Sequence, residues 1–315
     1  MGRKQSVMAQ KTTAFVLSGG ASLGAIQAGM LEALYEREIR PDLIVAASVG
    51  SVNGAFIASR PQTPATAREL AGVWGELSRG EVFPLNPIAG LLGFLGARDH
   101  LVPDGSLRAL IAEHLGFDRL EQAPIPLHLI GTDAVSGEEL RLSSGNALEA
   151  VMASIALPGV FAPVPWQGRQ LIDGGVANNA PISHAIELGA ERVYVLPTGT
   201  ACDLSEPPHG ALGMLLHSMS LLVMRRLLVE IELLKDCCEL VVLPPPCPLR
   251  ISPMDFGHSE ELVRLGYSGA VRHLAEVERG EAPAAPTMSM HDHKKSSRPE
   301  VRTDPQQTQR QRVPS

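Results

Sequence analysis

Residues 45–54 read Val-Ala-Ala-Ser-Val-Gly-Ser-Val-Asn-Gly, with Ser48 where one structural pattern gives way to another. The preceding residues, 43–47, form a short apolar run that is typical of a buried strand. The following residues, 50–59, are small and compatible with a helix, which Pro61 ends. A serine at such a strand-to-helix turn is held out from the edge of a sheet, at the positive N-terminal end of the helix. The segment therefore predicts a strand-turn-helix unit of an α/β fold, with Ser48 as the candidate nucleophile.

Small residues flank Ser48 on both sides. Ala46 and Gly50 lie two positions before and after it, where a bulky side chain would collide between strand and helix. The usual pattern at such a turn is G-x-S-x-G, so Ala46 departs from it by one methyl group. The chain has 30 glycines, and a short pattern of this kind also occurs in ordinary turns, so the assignment depends on the rest of the sequence.

Composition sets the class of protein. The chain has 315 residues, of which 44% are hydrophobic and 19% charged, so it has the composition of a globular protein of one large α/β domain or two smaller ones. The formal net charge is −7 and only 4% of the residues are aromatic. We therefore expect no nucleic-acid partner, because nucleic-acid surfaces are basic and single strands stack on aromatic rings.

The cysteines and the apolar runs predict a location. The four cysteines follow no metal-binding spacing and no disulfide framework, so we expect free thiols in a reducing compartment. They are Cys202, Cys237, Cys238 and Cys247. No secretory signal is recognised, and no run reaches the roughly 18 apolar residues of a membrane span. We expect a cytoplasmic protein, and the sequence leaves its oligomeric state open.

The chain divides into three parts. Residues 1–11 are polar, residues 12–279 carry the strand and helix patterns, and residues 280–315 are rich in Pro, Ala, Ser and Gln without periodicity. We expect the last part to be a disordered tail. The segment His291-Asp292-His293 within it is interpreted as solvated, so no metal site is expected there.

A glycine-rich loop follows the first predicted strand. Residues 13–17 are apolar, residues 18–24 read Ser-Gly-Gly-Ala-Ser-Leu-Gly, and a helix is predicted over 25–38. Backbone N–H groups at a helix N-terminus bind anions, so the loop is either a nucleotide phosphate cradle or an oxyanion hole. A dinucleotide site needs an acidic residue after the second strand, but Asp42 lies before it. Ser48 follows closely in the chain, which favours the oxyanion hole.

Asp173 is the candidate base. It directly follows the apolar pair Leu171-Ile172, and Gly174-Gly175 after it allow close approach of a backbone or a substrate. An ordinary Asp-Gly-Gly turn is the alternative. A nucleophilic serine must lose a proton during attack, and a carboxylate within hydrogen-bond reach accepts it. The ten histidines follow no recognisable triad pattern, and His184 is the fallback base.

Two further apolar segments have alternative interpretations. Residues 84–96 contain a glycine-interrupted apolar run, which is either a buried loop or a flap over an apolar substrate. Residues 210–235 predict a long helix with a broad apolar side, typical of a core or dimer helix. Arg225 and Arg226 in that helix also suit anionic lipid head groups, so peripheral membrane contact is the alternative.

Taken together, four segments resemble the patatin-like phospholipase family, in the family's order and spacing. They cover residues 13–198 and, as a set, are highly specific. The segments are Ser18-Gly19-Gly20-Ala21-Ser22-Leu23-Gly24, Ala46-Ala47-Ser48-Val49-Gly50 with Asn53, Ala153-Ser154-Ile155-Ala156-Leu157-Pro158-Gly159-Val160-Phe161, and Asp173-Gly174-Gly175 with Asn178 and Pro181.

The resemblance implies a fold, a site and a substrate class. The fold would be an α/β three-layer sandwich, with a central, mainly parallel sheet and helices on both faces. Ser48 would be the nucleophile and Asp173 the base of a dyad that works without histidine. The substrates would be acyl esters of lipids, and no metal or cofactor is required. The backbone amides of Gly19, Gly20 and Ala21 would form the oxyanion hole, and the residues supporting these motifs would be Gly24, Ala46, Gly50, Asn53, Gly174 and Gly175.

Three positions depart from the family pattern. Ala46 and Ala21 each replace a glycine and add a methyl group, and Leu23 stands where the family often has Arg or Lys. The last change would remove a positive charge suited to a phosphate head group. A catalytically weak lipid-binding or regulatory protein on the same fold is therefore the alternative to a serine esterase.

Overall fold

The computed structural model describes residues 11–82, 102–200, 202, 204, 206–208 and 210–285. Nearly all of the predicted N-terminal segment, the apolar run at 84–96 and the tail beyond residue 285 lie outside these residues.

Eight strands and nine α-helices make up the described part of the chain. The strands are β1 (Thr13–Leu17), β2 (Leu43–Ala47), β3 (Leu127–Asp133), β4 (Glu139–Leu142), β5 (Val164–Trp166), β6 (Arg169–Asp173), β7 (Arg192–Leu196) and β8 (Glu239–Val242). The helices are α1 (Ala25–Glu36), α2 (Val49–Ala58), α3 (Pro64–Glu76), α4 (Arg79–Val82), α5 (Gly105–His114), α6 (Ala147–Ser154), α7 (Ile182–Glu187), α8 (Ala211–Leu234) and α9 (Ser259–Glu278).

The strands form one mixed sheet. Hydrogen-bonded neighbours run in the order β5-β6-β3-β2-β1-β7-β8, and β4 also pairs with β3. The strands β3, β2, β1, β7 and β8 are parallel, whereas β4, β5 and β6 are antiparallel to their neighbours. The predicted central, mainly parallel sheet is therefore confirmed.

Helices cover both faces of the sheet because its central strands are apolar on both sides. In β1, Phe15 and Leu17 face a core formed with α1, α2, α3, α5, α6 and α9. The alternate residues Ala14 and Val16 face a second core formed with α7 and α8. Strands buried on both faces read as continuous apolar runs, which is the pattern of β1 and β2. The result is the predicted three-layer sandwich.

The last helix closes the first core by packing closely on α1. A β-carbon on Gly29 of α1 would overlap the Val263 carbonyl oxygen, and one on Gly266 of α9 would overlap the Ile26 carbonyl oxygen. Glycine on both helices thus allows their backbones to touch.

Two element boundaries differ from the sequence prediction for local reasons. Helix α1 ends at Glu36, two residues early, and Glu38 has a φ of 57°, which is incompatible with a right-handed helix. The apolar residues 160–165 also predict a strand, but β5 begins only at Val164, because the Val160 and Phe161 N–H groups both donate to the Leu157 carbonyl oxygen in a turn.

Residues just beyond the predicted domain end still contact the sheet. The Val242 N–H in β8 donates to the Ala284 carbonyl oxygen at 2.9 Å. The domain boundaries at residues 11 and 279 therefore stay predictions. Among the described residues, no helix has both the length and the apolar character needed to cross a membrane.

Candidate active site

Ser48 lies between β2 and α2 in a strained backbone conformation. Its φ is 53° and its ψ is −134°, a region that residues other than glycine rarely occupy. Such strain persists only where the surrounding structure enforces it. The turn is enforced by close packing, because a β-carbon on Gly50 would overlap the Leu17 carbonyl oxygen at the end of β1.

The methyl group of Ala46 fits beside the turn without displacing the helix. Ala46 is fully buried, and it packs opposite Gly54 of α2. Even a β-carbon on Gly54 would lie 3.4 Å from that of Ala46, which is ordinary van der Waals contact, so the methyl group of Ala46 does not crowd the helix there. The departure at Ala46 is therefore accommodated by the facing helix.

The register of β3 explains how Ser48 meets Asp173. The outer side of β3 pairs with β4, so β2 and β6 share its other side and meet end to end. Ala47, the last residue of β2, pairs with Ile130, and Asp173, the last residue of β6, pairs with the next residue, Gly131. Two strand ends thus converge from opposite directions. The Ser48 Oγ donates a hydrogen bond to Asp173 Oδ2 at 2.6 Å.

The Asp173 carboxylate is oriented by its own turn. Its Oδ1 accepts from the Gly175 N–H at 2.7 Å, and its backbone carbonyl accepts from the Thr132 Oγ1 at 2.9 Å. A β-carbon on Gly174 would overlap the Ile130 carbonyl oxygen, so the turn lies directly against β3. Both carboxylate oxygens therefore have a donor, and the one that faces Ser48 is fixed.

Burial raises the pKa of Asp173 to about 6, above its usual value. The residue has only 4% of its surface exposed, which disfavours the charged form. The hydrogen bonds from Ser48 and from the Gly175 N–H act in the opposite direction and lower the pKa. A carboxylate with a pKa near 6 is ionised at neutral pH and still basic enough to accept a proton.

No hydrogen bond joins an imidazole to Ser48 within the described part of the chain. His184, the fallback base, lies elsewhere: its Nε2 bonds Glu139 Oε1 at 2.7 Å, and this bond raises the pKa of the imidazole. His114 lines the cavity described below, but its ring packs against Phe56.

The glycine-rich loop lies directly against Ser48. A β-carbon on Gly19 would be 2.6 Å from that of Ser48, so only glycine fits there. The Gly19 N–H already donates to the Asn179 carbonyl oxygen at 3.2 Å. Within the described residues, the N–H groups of Gly20 and Ala21 have no hydrogen-bond acceptor. The loop therefore has two N–H groups without an acceptor, whereas that of Gly19 is engaged, and the oxyanion hole predicted from Gly19, Gly20 and Ala21 stays a prediction.

The backbone of Ala21 is left-handed, with a φ of 51°. An alanine in this conformation costs about 1 kcal/mol relative to glycine. Alanine at position 21, where the family pattern has glycine, therefore makes this conformation of the loop less stable.

Two residues that the sequence analysis did not identify anchor the loop. The Thr198 Oγ1 donates to the Gly19 carbonyl oxygen at 2.6 Å, and the Asn179 Nδ2 donates to the same oxygen at 3.3 Å. Asn179 could have been identified from the sequence, because it lies shortly after Asp173. No sequence signal pointed to Thr198, because it reaches the loop only through the pairing of β7 with β1.

Asn53 supports the loop from the other side. Its Nδ2 donates to the Gly24 carbonyl oxygen at 3.0 Å and to Gln27 Oε1 at 2.8 Å, and its Oδ1 accepts from Trp74 Nε1 at 3.0 Å. Gln27 in turn donates to the Ser18 carbonyl oxygen at 2.8 Å. This buried network ties α2 and α3 to both ends of the loop.

Ser154 lies directly beneath Ser48 and is fully buried. Its Oγ accepts from the Ser48 N–H at 3.1 Å, bonds Ser51 Oγ at 2.7 Å and donates to the Ile130 carbonyl oxygen at 2.6 Å. The sequence places Ser154 in a segment that resembles the family but indicates no role for it. Its hydroxyl connects the strained turn to β3, the strand along which β2 and β6 meet.

The position of Leu23 bears on the expected loss of a charge for a phosphate head group. It is fully buried in the first core and does not line the cavity beside Ser48. A long basic side chain at this position would have to leave that core to reach the cavity. The absence of Arg or Lys here is therefore no sign that the cavity has lost a charge for a head group.

An apolar cavity of about 210 Å³ opens onto Ser48 and Asp173. Helices α2, α3, α5 and α8 all contribute residues to its walls. The apolar lining residues include Val52, Phe56, Leu70, Val73, Trp74, Leu77, Leu107, Leu110, Ile111, Met219, Val223, Met224 and Leu227. Such a lining is suited to an acyl chain. In the described part of the chain, no group of three or more His, Cys, Asp or Glu residues is arranged to hold a metal ion.

Comparison with known proteins identifies similar chains. Residues 15–186 match the family model described as patatin-like phospholipase. The lysophospholipase NTE1 of Mycosarcoma maydis is 27% identical over 198 residues, which cover 62% of this chain and 10% of that protein. Patatin-like phospholipase domain-containing protein 7 of Rattus norvegicus is 26% identical over 294 residues, which cover 84% of this chain and 21% of that protein. The chain thus spans about a tenth to a fifth of the length of these relatives.

Among solved structures, VipD from Legionella pneumophila is similar at 14% sequence identity. The TM-score is 0.47, and the match covers 85% of this chain and 67% of that one.

Proposed function

The family match covers more than half of the chain, so the protein belongs to the patatin-like phospholipase family, and we propose that it is a carboxylic ester hydrolase acting on lipid acyl esters. The observation that carries the proposal is the 2.6 Å hydrogen bond from Ser48 to the buried Asp173, beside a loop with free N–H groups.

In the first step, the Ser48 Oγ attacks the ester carbonyl carbon while Asp173 Oδ2 accepts the hydroxyl proton. The pKa of Asp173, about 6, suits this role at neutral pH. The hydrogen bond from Ser48 already lies along the path of that proton.

The negative charge that develops on the carbonyl oxygen would be held by the N–H groups of Gly20 and Ala21. One such donor contributes a factor of about 10² to 10³ in kcat, so the loop matters nearly as much as the base. The Gly19 N–H is already engaged, and its role is to hold the loop to Asn179.

Asp173 would then return its proton to the departing alcohol, which leaves an acyl group on Ser48. A water molecule attacks this acyl-enzyme, Asp173 accepts a proton from the water, and the proton passes to Ser48 as the fatty acid is released. The same carboxylate thus serves both half-reactions.

The substrate class follows from the cavity. Its apolar lining suits a fatty acyl chain, and Ser48 and the glycine-rich loop both line it, so the ester carbonyl would lie between them. The enzyme class we propose is therefore a lipid acyl hydrolase of the phospholipase or lysophospholipase type.

The proposal extends to peripheral membrane contact through α8. One side of this helix lines the cavity through Met219, Val223 and Leu227, while Leu222 on another side is 68% exposed. We expect Leu222→Asp to reduce cosedimentation with phosphatidylglycerol vesicles while hydrolysis of a short soluble ester is unchanged. Equal cosedimentation of both proteins would contradict this contact.

The central test is Ser48→Ala, assayed with p-nitrophenyl acyl esters and with a fluorophosphonate probe. We expect hydrolysis to fall by at least about 10³-fold and probe labelling to disappear, because the nucleophile is removed. Ser268→Ala is the matched control: it changes an exposed serine of α9 whose hydroxyl bonds only its own helix. Undiminished hydrolysis in Ser48→Ala would reject the proposal.

The same assay separates the alternative function. A lipid-binding or regulatory protein would retain the apolar cavity but would not be labelled by the probe. Lipid binding by the unmodified chain without labelling would therefore favour that alternative.

A further inference from the structure

Two cysteines from distant parts of the chain lie next to each other. Cys202 follows β7, and Cys247 follows β8, 45 positions later. Their sulfur atoms are 3.1 Å apart. Cys202 is half-buried and Cys247 is exposed, so the pair is open to small reagents in solution.

The backbone already holds the two segments in position. The Cys202 N–H donates to the Leu249 carbonyl oxygen at 3.0 Å, and the Leu249 N–H approaches Cys202 Sγ at 3.4 Å. Near the start of the first segment, a β-carbon on Gly199 would be 2.7 Å from that of Pro245. The two segments of the chain are therefore in close contact there too. A disulfide needs the sulfurs to approach by only about 1 Å more.

Each segment also anchors the glycine-rich loop. Thr198, four residues before Cys202, donates to the Gly19 carbonyl oxygen at 2.6 Å. Pro253, six residues after Cys247, accepts from the Ser22 N–H at 3.0 Å. A covalent bond between the cysteines would therefore join the two supports of the loop.

We propose that Cys202 and Cys247 form a reversible disulfide, with a low-molecular-weight disulfide such as oxidised glutathione as the oxidant. One protein thiolate attacks a sulfur of glutathione disulfide, forming a mixed disulfide and releasing one glutathione thiolate. The second protein thiolate then attacks the mixed disulfide and releases the second glutathione. Two protein thiols are oxidised and one glutathione disulfide is reduced, and the two protons lost by the protein thiols are taken up by the two glutathione thiolates.

The disulfide stabilises the folded state because it closes a long loop in the unfolded chain. The oxidised protein should melt at a higher temperature than the reduced protein, by an amount on the order of 5–10 °C. Melting is read without any substrate, so this inference stands or fails independently of the proposed hydrolysis.

The test uses the full chain, equilibrated in buffers of glutathione and oxidised glutathione, blocked with an alkylating agent and mapped by mass spectrometry. The expected result is a cross-linked peptide pair that contains Cys202 and Cys247 and disappears after reduction with dithiothreitol. Recovery of both cysteines as alkylated thiols or as separate glutathione adducts would overturn the proposal.

Four single variants complete the design. Cys202→Ser and Cys247→Ser should each lose both the cross-link and the melting shift. Cys237→Ser and Cys238→Ser are the controls, because they change the other two cysteines of the chain, and both should retain the cross-link and the shift. A melting shift that persists in Cys247→Ser, or a bond mapped to Cys237 or Cys238, would count against the assignment.

Discussion

The carboxylate of Asp173 lies where burial opposes its charge, while the Ser48 hydroxyl and the Gly175 N–H both donate to it. The balance leaves its pKa at about 6. A base that works near neutral pH needs a pKa in this range, because a carboxylate with the usual pKa near 4 would be too weak. The burial that would suit Asp173 to the proposed role of base also makes its charge costly for the fold.

The first prediction concerns the pH dependence of hydrolysis. Below a pH of about 6, Asp173 is protonated and cannot accept the Ser48 proton, so kcat/KM should fall about tenfold per pH unit. Above pH 7 it should be level until another group titrates. Initial rates with a soluble ester between pH 4.5 and 8 test this, with circular dichroism at each pH as the control for unfolding. A midpoint near pH 4 would mean that the carboxyl has its ordinary pKa.

The second prediction concerns stability. The pKa of Asp173 is raised by folding, so the folded state binds the proton more tightly and loses stability as the pH rises from about 4 to about 6. Asp173→Asn removes this charge and should raise the free energy of unfolding at pH 7 by about 2–3 kcal/mol while abolishing hydrolysis. Urea unfolding at pH 7 and pH 4 measures the difference, which should shrink toward zero at the lower pH. A destabilised variant at pH 7 would contradict the expected sign.

The third prediction assigns Ser154 a positioning role. Ser154→Ala leaves the Ser48 N–H buried without an acceptor and releases the turn from β3, so kcat should fall by about 10- to 100-fold with little change in KM. Ser51→Ala is the matched control, because it removes a neighbouring hydroxyl but keeps the bond between Ser48 and Ser154. Equal losses of kcat in both variants would show that the effect is general disruption of the buried pair.

At the scale of elements, the sequence predicted the structural features that depend on residues adjacent in the chain. The turn at Ser48 was readable because an apolar strand and a helix of small residues meet there. The predicted start of β5 at residue 160 was wrong. The turn at Val160 and Phe161 depends on hydrogen bonds that a run of apolar residues does not reveal.

The contact between Ser48 and Asp173 could not be read from periodicity. It depends on β2 and β6 sharing one side of β3, and the two residues are 125 positions apart. The family resemblance predicted that Ser48 and Asp173 act together, and the register of β3 explains physically why they meet. Thr198 was missed for the same reason, since only sheet order brings it to the loop.

The fourth prediction concerns the α5 wall of the cavity. Leu110 lines the cavity and is partly buried, so Leu110→Trp should occupy part of the space available to an acyl chain. We expect kcat/KM for a long-chain ester to fall about tenfold or more relative to that for a butyrate ester. Leu110→Met, which nearly conserves volume, is the control and should leave the ratio of the two rates unchanged. A proportional loss for both esters in Leu110→Trp would place the effect outside the acyl site.

At the scale of the whole molecule, much of the site lies beyond the region that matches the family. The match ends at residue 186, whereas Thr198, the α8 wall and α9 all follow it. The fold is therefore completed by the C-terminal third of the chain, and α9 reaches back to pack on α1, the helix that follows the glycine-rich loop.

The fifth prediction tests this closure. Gly266→Ala drives a methyl group into the Ile26 carbonyl oxygen of α1 and should lower the free energy of unfolding by about 3 kcal/mol. Gly269→Ala on the same helix is the matched control, because its β-carbon would lie 3.7 Å from the nearest atom, the Pro244 carbonyl oxygen. We expect that change to be neutral or to stabilise by up to about 1 kcal/mol, since alanine favours a helix. Similar unfolding curves for both variants would contradict close packing at Gly266.

The position of β1 between β2 and β7 has a consequence for synthesis on the ribosome. Ser48 leaves the exit tunnel early and Asp173 much later, and Thr198, which fastens the glycine-rich loop, emerges last of the three. Domains fold as units once their residues have emerged, at about 5–20 residues per second. A growing polypeptide therefore carries an idle serine until residues far beyond it have emerged, and the proposed ester cleavage cannot begin before Thr198 has left the tunnel.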